Sequence, residues 1–142
     1  MPPAPKQMYA GSPRPLSEVA VISEGARLWR HVYSIDDQYV VNPIVGGAPF
    51  TQGLLVLPGT RKVKVKYLSV DGFSGGVVTT TKAESEILVD AKAGHTYVLV
   101  GRRGQSDYLF WFEDKGTNYQ QECLAPEPYA KKYIKGEDVP GC

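Results

Sequence analysis

The stretch Arg61-Lys-Val-Lys-Val-Lys-Tyr-Leu68 settles the fold class. Val63, Val65 and Tyr67 fall on one side of an extended chain, and Lys62, Lys64 and Lys66 fall on the other. A helix would mix the two sets around its surface. Strict alternation of this kind belongs to a strand with one packed face and one wet face, the usual state of antiparallel sheets. Pro58-Gly59 stands just before it, a type II turn signal with Pro at i+1 and Gly at i+2. That turn closes a buried strand expected over residues 53–57.

The same reading extends in both directions. Downstream, a Gly-rich turn over 71–76 leads to strands at 77–80 and 84–91, the latter with Ile87, Val89 and Ala91 pointing inward. Ala93-Gly94 turns the chain into 96–100, apolar or β-branched on both faces and therefore expected at a sheet centre. Gly101-Arg-Arg-Gly104 turns it again into the aromatic strand Tyr108-Leu-Phe-Trp-Phe-Glu113. There Phe110 and Phe112 share one face and Leu109 and Trp111 the other, and burial on both is the simplest expectation. Upstream, strands are expected at 17–22 and 28–36, the second with neither face cleanly apolar. An Asp36-Asp37 turn, a short piece at 38–41 and a Pro/Gly loop over 42–49 follow. The sum is all-β: an antiparallel β-sandwich of about eight strands. A short C-terminal helix is expected over 126–136, where Pro126, Pro128 and Glu127 suit its start, and Lys135 and Gly136 its end. It would bring Tyr129 and Tyr133 onto one face, to dock on the sheet.

Composition narrows the functional class. An apolar share of 42% and a charged share of 22% over 142 residues are ordinary for a globular chain with one core. The 16 basic and 15 acidic side chains nearly cancel, so no nucleic-acid partner is expected. No segment is apolar enough to span a bilayer, and residues 1–8 lack the hydrophobic region of a signal peptide. Taken literally, such a start means a cytosolic chain. Taken as the mature part of an exported chain, it makes the Pro-rich leader a tether between an anchor and a domain, and this reading is preferred. The expected division is a flexible leader over 1–14, a sandwich over 15–116 and a tail over 117–142. Cys123 and Cys142 show no metal spacing, so neither zinc nor a cofactor is expected. A disulfide between them would staple the tail; the alternative is two unrelated thiols.

Pro13-Arg-Pro-Leu-Ser-Glu-Val-Ala-Val-Ile22 resembles the opening of a loose group of small bacterial envelope lipoproteins. The likeness continues in Tyr33-Ser-Ile-Asp-Asp37, in Leu57-Pro-Gly-Thr60 with the alternating run to Tyr67, and in Ala91-Lys-Ala-Gly-His-Thr-Tyr97. The middle part is similar to PEGA-type β-sandwich repeats. The sequence departs from the group at Asp37-Gln38, where Gly is usual. The resemblance covers about residues 13–115 and rests on turn chemistry. It implies a lipid-anchored domain in the periplasm, which agrees with a disulfide at Cys123 and Cys142.

Four sets of residues are candidates for chemistry. Gly72-Phe-Ser-Gly-Gly76 fits G-x-S-x-G, with Ser74 as the nucleophile of a serine hydrolase. That elbow needs a helix after it, whereas Val-Val-Thr-Thr-Thr follows, so a hairpin turn is expected and an enzyme is not. His95, after Gly94, is expected to hold its turn by a hydrogen bond, with a functional role as the alternative. His31 is expected mid-strand and partly buried, and two separated histidines make no metal site. The row Arg61, Lys62, Lys64 and Lys66, with Arg102-Arg103 near it, is the best binding candidate. Its lysines stand ~7 Å apart and can meet lipid phosphates, peptidoglycan carboxylates or an acidic protein. A solvated face or a guarded edge is the plainer reading and is favoured. Trp29 with Tyr108, Phe110, Trp111 and Phe112 could stack a ligand, but core is the simpler role. The expected function is a non-enzymatic, lipid-anchored periplasmic module that binds or scaffolds at the membrane surface, peptidoglycan or another envelope protein. The alternatives are a small β-barrel carrying an apolar ligand and, remotely, the Ser74 hydrolase.

Overall fold

The computed structural model describes residues 6–23, 30–40, 53–103, 108–117 and 119. Its strands in chain order are β1 (Lys6–Gln7), β2 (Ala20–Ser23), β3 (Arg30–Ile35), β4 (Gln38–Tyr39), β5 (Leu54–Val56), β6 (Gly59–Ser74), β7 (Val77–Ala91), β8 (His95–Arg103) and β9 (Tyr108–Thr117). One 3-10 turn, Leu16–Glu18, precedes β2. The strands form two sheets, ordered β1-β5-β2-β8-β9 and β4-β3-β6-β7. No helix among the described residues is long and apolar enough to cross a membrane.

The deciding stretch lies in β6 as its alternation requires. Val63 and Val65 are 0% and 1% exposed, while Lys62, Lys64 and Lys66 look outward. Both sheets feed one core, which gives a sandwich-like arrangement. Ile22, Leu54, Val56, Tyr97 and Leu99 come from the five-stranded sheet, and Val32, Ile35, Val63, Val65 and Val89 from the other. Ile87 packs beside them, so Ile87, Val89 and Ala91 point inward as expected.

Strand direction departs from expectation. The four-stranded sheet is antiparallel throughout, but the five-stranded sheet is mixed. In it β1 runs parallel to β5, and β2 runs parallel to β8, with Val21 opposite Thr96. Alternation shows which residues share a face; it does not show which way a neighbour runs. The chain leaves β2 for the other sheet and returns to β8 by a crossover, the connection that parallel neighbours require.

Strand length departs as well. The separate pieces expected at 77–80 and 84–91 are one strand, because the threonine run carries extended backbone through Lys82 and Ala83. Asp71, expected to open the turn, is instead an extra residue in β6. Val70 pairs with Thr80 and Gly72 with Thr79, so the ladder bulges between them. The reversal falls on Gly75 and Gly76 alone, with φ of 57° and 84°. Two successive positive φ values give the turn whose twist matches a hairpin. At the other end, Gly101 to Arg103 continue β8 as strand rather than turning.

Within the leader expected over 1–14, residues 6–8 belong to the fold. Lys6 N–H donates to Gly53 at 3.0 Å and Met8 N–H to Leu55 at 2.9 Å, and Met8 joins the core. Two residues of ladder suffice because β5 offers an open side and Met8 fills apolar space. The expected C-terminal helix over 126–136, Cys123, Cys142, Trp29 and the loop over 42–49 lie outside the described residues.

Candidate functional site

The lysine row lies on β6, and one turn and the neighbouring strand β7 supply its acidic partners. Asp36 and Asp37, between β3 and β4, have φ of 50° and 66°. This is the same two-residue hairpin turn as at Gly75-Gly76, made here without glycine; aspartate tolerates the left-handed region better than most residues. Asp36 is held by three bonds. Its N–H donates to the Lys62 carbonyl at 2.8 Å, its Oδ1 accepts from the Lys62 N–H at 2.9 Å, and its Oδ2 accepts from Arg61 Nη1 at 3.0 Å. Arg61 also donates from Nε to Leu57 O at 2.9 Å and from Nη2 to Pro58 O at 3.0 Å. One guanidinium therefore ties the β3–β4 turn to the β5–β6 turn. That is a structural task.

The lysines are paired too. Lys62 Nζ donates to Asp37 Oδ2 at 2.8 Å, and Lys64 Nζ lies 3.5 Å from Asp37 Oδ1. The Lys62 hydrogen bond, helped by both lysine charges, lowers the pKa of Asp37; the same hydrogen bond raises that of Lys62. Lys66 Nζ lies 3.5 Å from Glu84 Oε1 and 3.8 Å from the centre of the Tyr33 ring, a cation–π contact. Tyr33 in turn meets Tyr39 edge-on at 5.2 Å. Glu86 stands opposite Lys64 in the ladder. Four bases thus face four carboxylates, Asp36, Asp37, Glu84 and Glu86. Such a surface has little net potential with which to attract an anionic partner.

A shallow cleft of about 320 Å³ opens on this face, lined by Tyr33, Lys64, Lys66, Glu84 and Glu86. The carboxylates and tyrosines were missed in the sequence, although a signal existed. Glu84 and Glu86 repeat with the period of Lys64 and Lys66, and the hairpin places the two stripes side by side.

The turn predicts its own mutational contrast. Asp37→Gly removes two exposed ion pairs but frees a left-handed position of its side chain, so the melting temperature should stay within a degree or two. Asp36→Gly removes the bonds to Arg61 and to the Lys62 N–H. It should cost about 1 kcal/mol, a fall of several degrees in thermal unfolding. A larger loss from Asp37→Gly than from Asp36→Gly would contradict this division of labour.

The His95 side chain does not reach the Ala93-Gly94 turn that it was expected to fix; it bonds across to β9. Its Nδ1 lies 2.9 Å from Asp114 Oδ1 and 3.0 Å from Oδ2, bridging β8 and β9. Asp114 Oδ1 also accepts from the Gly116 N–H at 2.8 Å, where β9 bulges against β8. Burial opposes ionisation of Asp114. The His95 and Gly116 hydrogen bonds, with the charges of His95 and Lys92, outweigh it and hold the carboxyl below its usual range.

The remaining candidates stand apart. Ser74 ends β6 and pairs with Val77, and a strand rather than a helix follows it; the backbone has the form of a hairpin, not of a nucleophile elbow. His31 is half-buried in β3 opposite Lys66. Among the described residues no three His, Cys, Asp or Glu gather as metal ligands. The aromatic strand corrects the expectation of burial on both faces. Phe110 and Phe112 pack on the core, but the opposite face of β9, the last strand of its sheet among the described residues, leaves Leu109 55% and Trp111 39% exposed. No family model, no curated protein and no solved structure matches this chain.

Proposed function

We propose that this chain is a non-enzymatic docking module of the bacterial cell envelope, a lipid-anchored periplasmic domain that binds or scaffolds another envelope protein. The observation that carries the reading is the charge-matched open face of β3, β6 and β7. Tyr33, Lys64, Lys66, Glu84 and Glu86 line a shallow cleft there rather than an enclosed pocket. Tyrosine with paired charges on a flat surface suits a protein partner, because aromatic area supplies contact energy and salt-bridged rows supply specificity. An anionic membrane or polyanion would find the lysines already answered by Asp37 and Glu84. The resemblance to small envelope lipoproteins supports the location.

The test is a photo-crosslinking amino acid at position 64 of the chain, expressed from its own gene in its own cells. A discrete adduct with one envelope protein is expected from position 64, with none from position 18 on the 3-10 turn. A palmitate analogue should label the same chain. Crosslinking confined to lipid, or sedimentation of the purified chain with phosphatidylglycerol vesicles at physiological salt, would overturn the reading.

A further inference from the structure

β7 closes the four-stranded sheet, with β6 laddered on one side and, among the described residues, no laddered strand on the other, where β9 of the second sheet approaches it without a ladder. In an antiparallel strand every second residue turns its N–H and C=O away from the partner, so the outer side of β7 is, among the described residues, a row of donors and acceptors in no ladder. Sheets normally blunt such an edge with shortness, proline, lysine or a bulge. Over Ala83–Ala91 the sequence has no proline and no lysine, and the ladder to β6 runs without a shift.

The edge has a chemical polarity. Glu84, Glu86 and Asp90 stand exposed on the outer face, while Ala83, Ser85 and Ile87 are partly covered and Val89 and Ala91 buried on the inner one. Across the outer face the charges come in rows: Lys62, Lys64 and Lys66 on β6, then Glu84 and Glu86 on β7. Glu84 meets Lys66 only at 3.5 Å and its side chain remains 70% exposed. Glu86 makes no ion pair among the described residues. A third row beside β7 would be matched if it were basic. A second copy of the chain pairing β7 against β7 would instead set carboxylate beside carboxylate, which is repulsive.

We infer that the free edge of β7 along Ala83–Ala91 takes an extended segment of another protein as an added strand, with Lys or Arg at alternate positions and small or apolar residues between. Backbone bonds to the edge supply affinity, and the basic row against Glu84 and Glu86 supplies selectivity. The inference rests on the docking reading above and names the partner's chemistry and seat. Its test needs no knowledge of that partner, so the two can fail separately.

The probe is a pair of peptides about nine residues long, the span of Ala83–Ala91, with Val or Thr between either lysines or glutamates. The lysine peptide should bind the intact chain at least roughly tenfold more tightly than the glutamate peptide and protect the Ala83–Ala91 amides from hydrogen exchange. Glu84→Lys with Glu86→Lys should reverse the preference, and Glu86→Lys alone should erode it. Both side chains are exposed, and an unchanged far-UV circular dichroism spectrum checks the fold of each variant. Binding of neither peptide at about 1 mM, equal binding of both, protection outside β7, or self-association of the free chain through β7 would each overturn the inference.

Discussion

Leu99→Ala should lower the stability of this chain by about 3 kcal/mol. Leu99 is 1% exposed on the inner face of β8, with β2 on one side and β9 on the other. It faces the other sheet in the core that holds Val32, Val63 and Val65. Truncation removes the transfer free energy of the lost methyl and methylene groups and leaves a cavity, because strands bonded on both sides cannot close in on it. A domain of this size has roughly 5–15 kcal/mol in all, so the variant loses a large share. Leu88→Ala is the control. Leu88 is 68% exposed on β7, and its truncation should change stability by less than about 0.5 kcal/mol. Urea unfolding reads both, with a midpoint shift near 1.5 M expected for Leu99→Ala if the slope is about 2 kcal/mol/M. Equal effects at the two leucines would mean that the space between the sheets is not a packed interior.

Burial of this kind was legible where nothing interrupts the period of two. Val63, Val65, Ile87, Val89 and Ala91 point inward as their spacing dictates. β3 shows where the rule stops. Val32 and Ile35 are both buried although three residues apart, which a regular strand forbids. The ladder slips between Val32 and Ser34, where Tyr33 is the extra residue, and the bulge exchanges the faces beyond it. Nothing in Arg30-His-Val-Tyr-Ser-Ile35 announces that slip, so neither face looked apolar. The parallel pairing of β2 with β8 was hidden for a different reason, since direction depends on the path of the whole chain. At the candidate site the cations were legible and their partners were not. Asp36 and Asp37 read as turn formers, and only the fold shows that the turn folds back onto Arg61 and Lys62. A row of lysines read alone exaggerates the positive potential of its face.

Tyr97→Ala should be at least as damaging as Leu99→Ala, at about 3–5 kcal/mol, and Tyr97→Phe separates its causes. Tyr97 is 5% exposed, its ring in the core and its hydroxyl at the turn between β7 and β8. The hydroxyl accepts from the Lys92 N–H at 2.9 Å and donates to the Asp90 carbonyl at 3.1 Å. Phenylalanine keeps the packing and leaves those two backbone groups without their partner. They lie near enough to the surface to recruit water, so the cost should be about 1–2 kcal/mol rather than the full penalty of a buried orphan. The Lys92 amide should also exchange faster in Tyr97→Phe, while Leu99 keeps its protection. An unchanged Lys92 amide would show that the turn stands by itself, on Gly94 at φ 80° and on the Gly94 N–H donating to Val19 at 2.8 Å. The distinction bears on what the stretch Ala91-Lys-Ala-Gly-His-Thr-Tyr97 is for. Gly94 supplies a left-handed position, His95 bridges to Asp114, and Tyr97 bolts the turn to the core. Each distinctive side chain of the stretch is occupied in shaping backbone, so these residues specify a turn rather than a binding site.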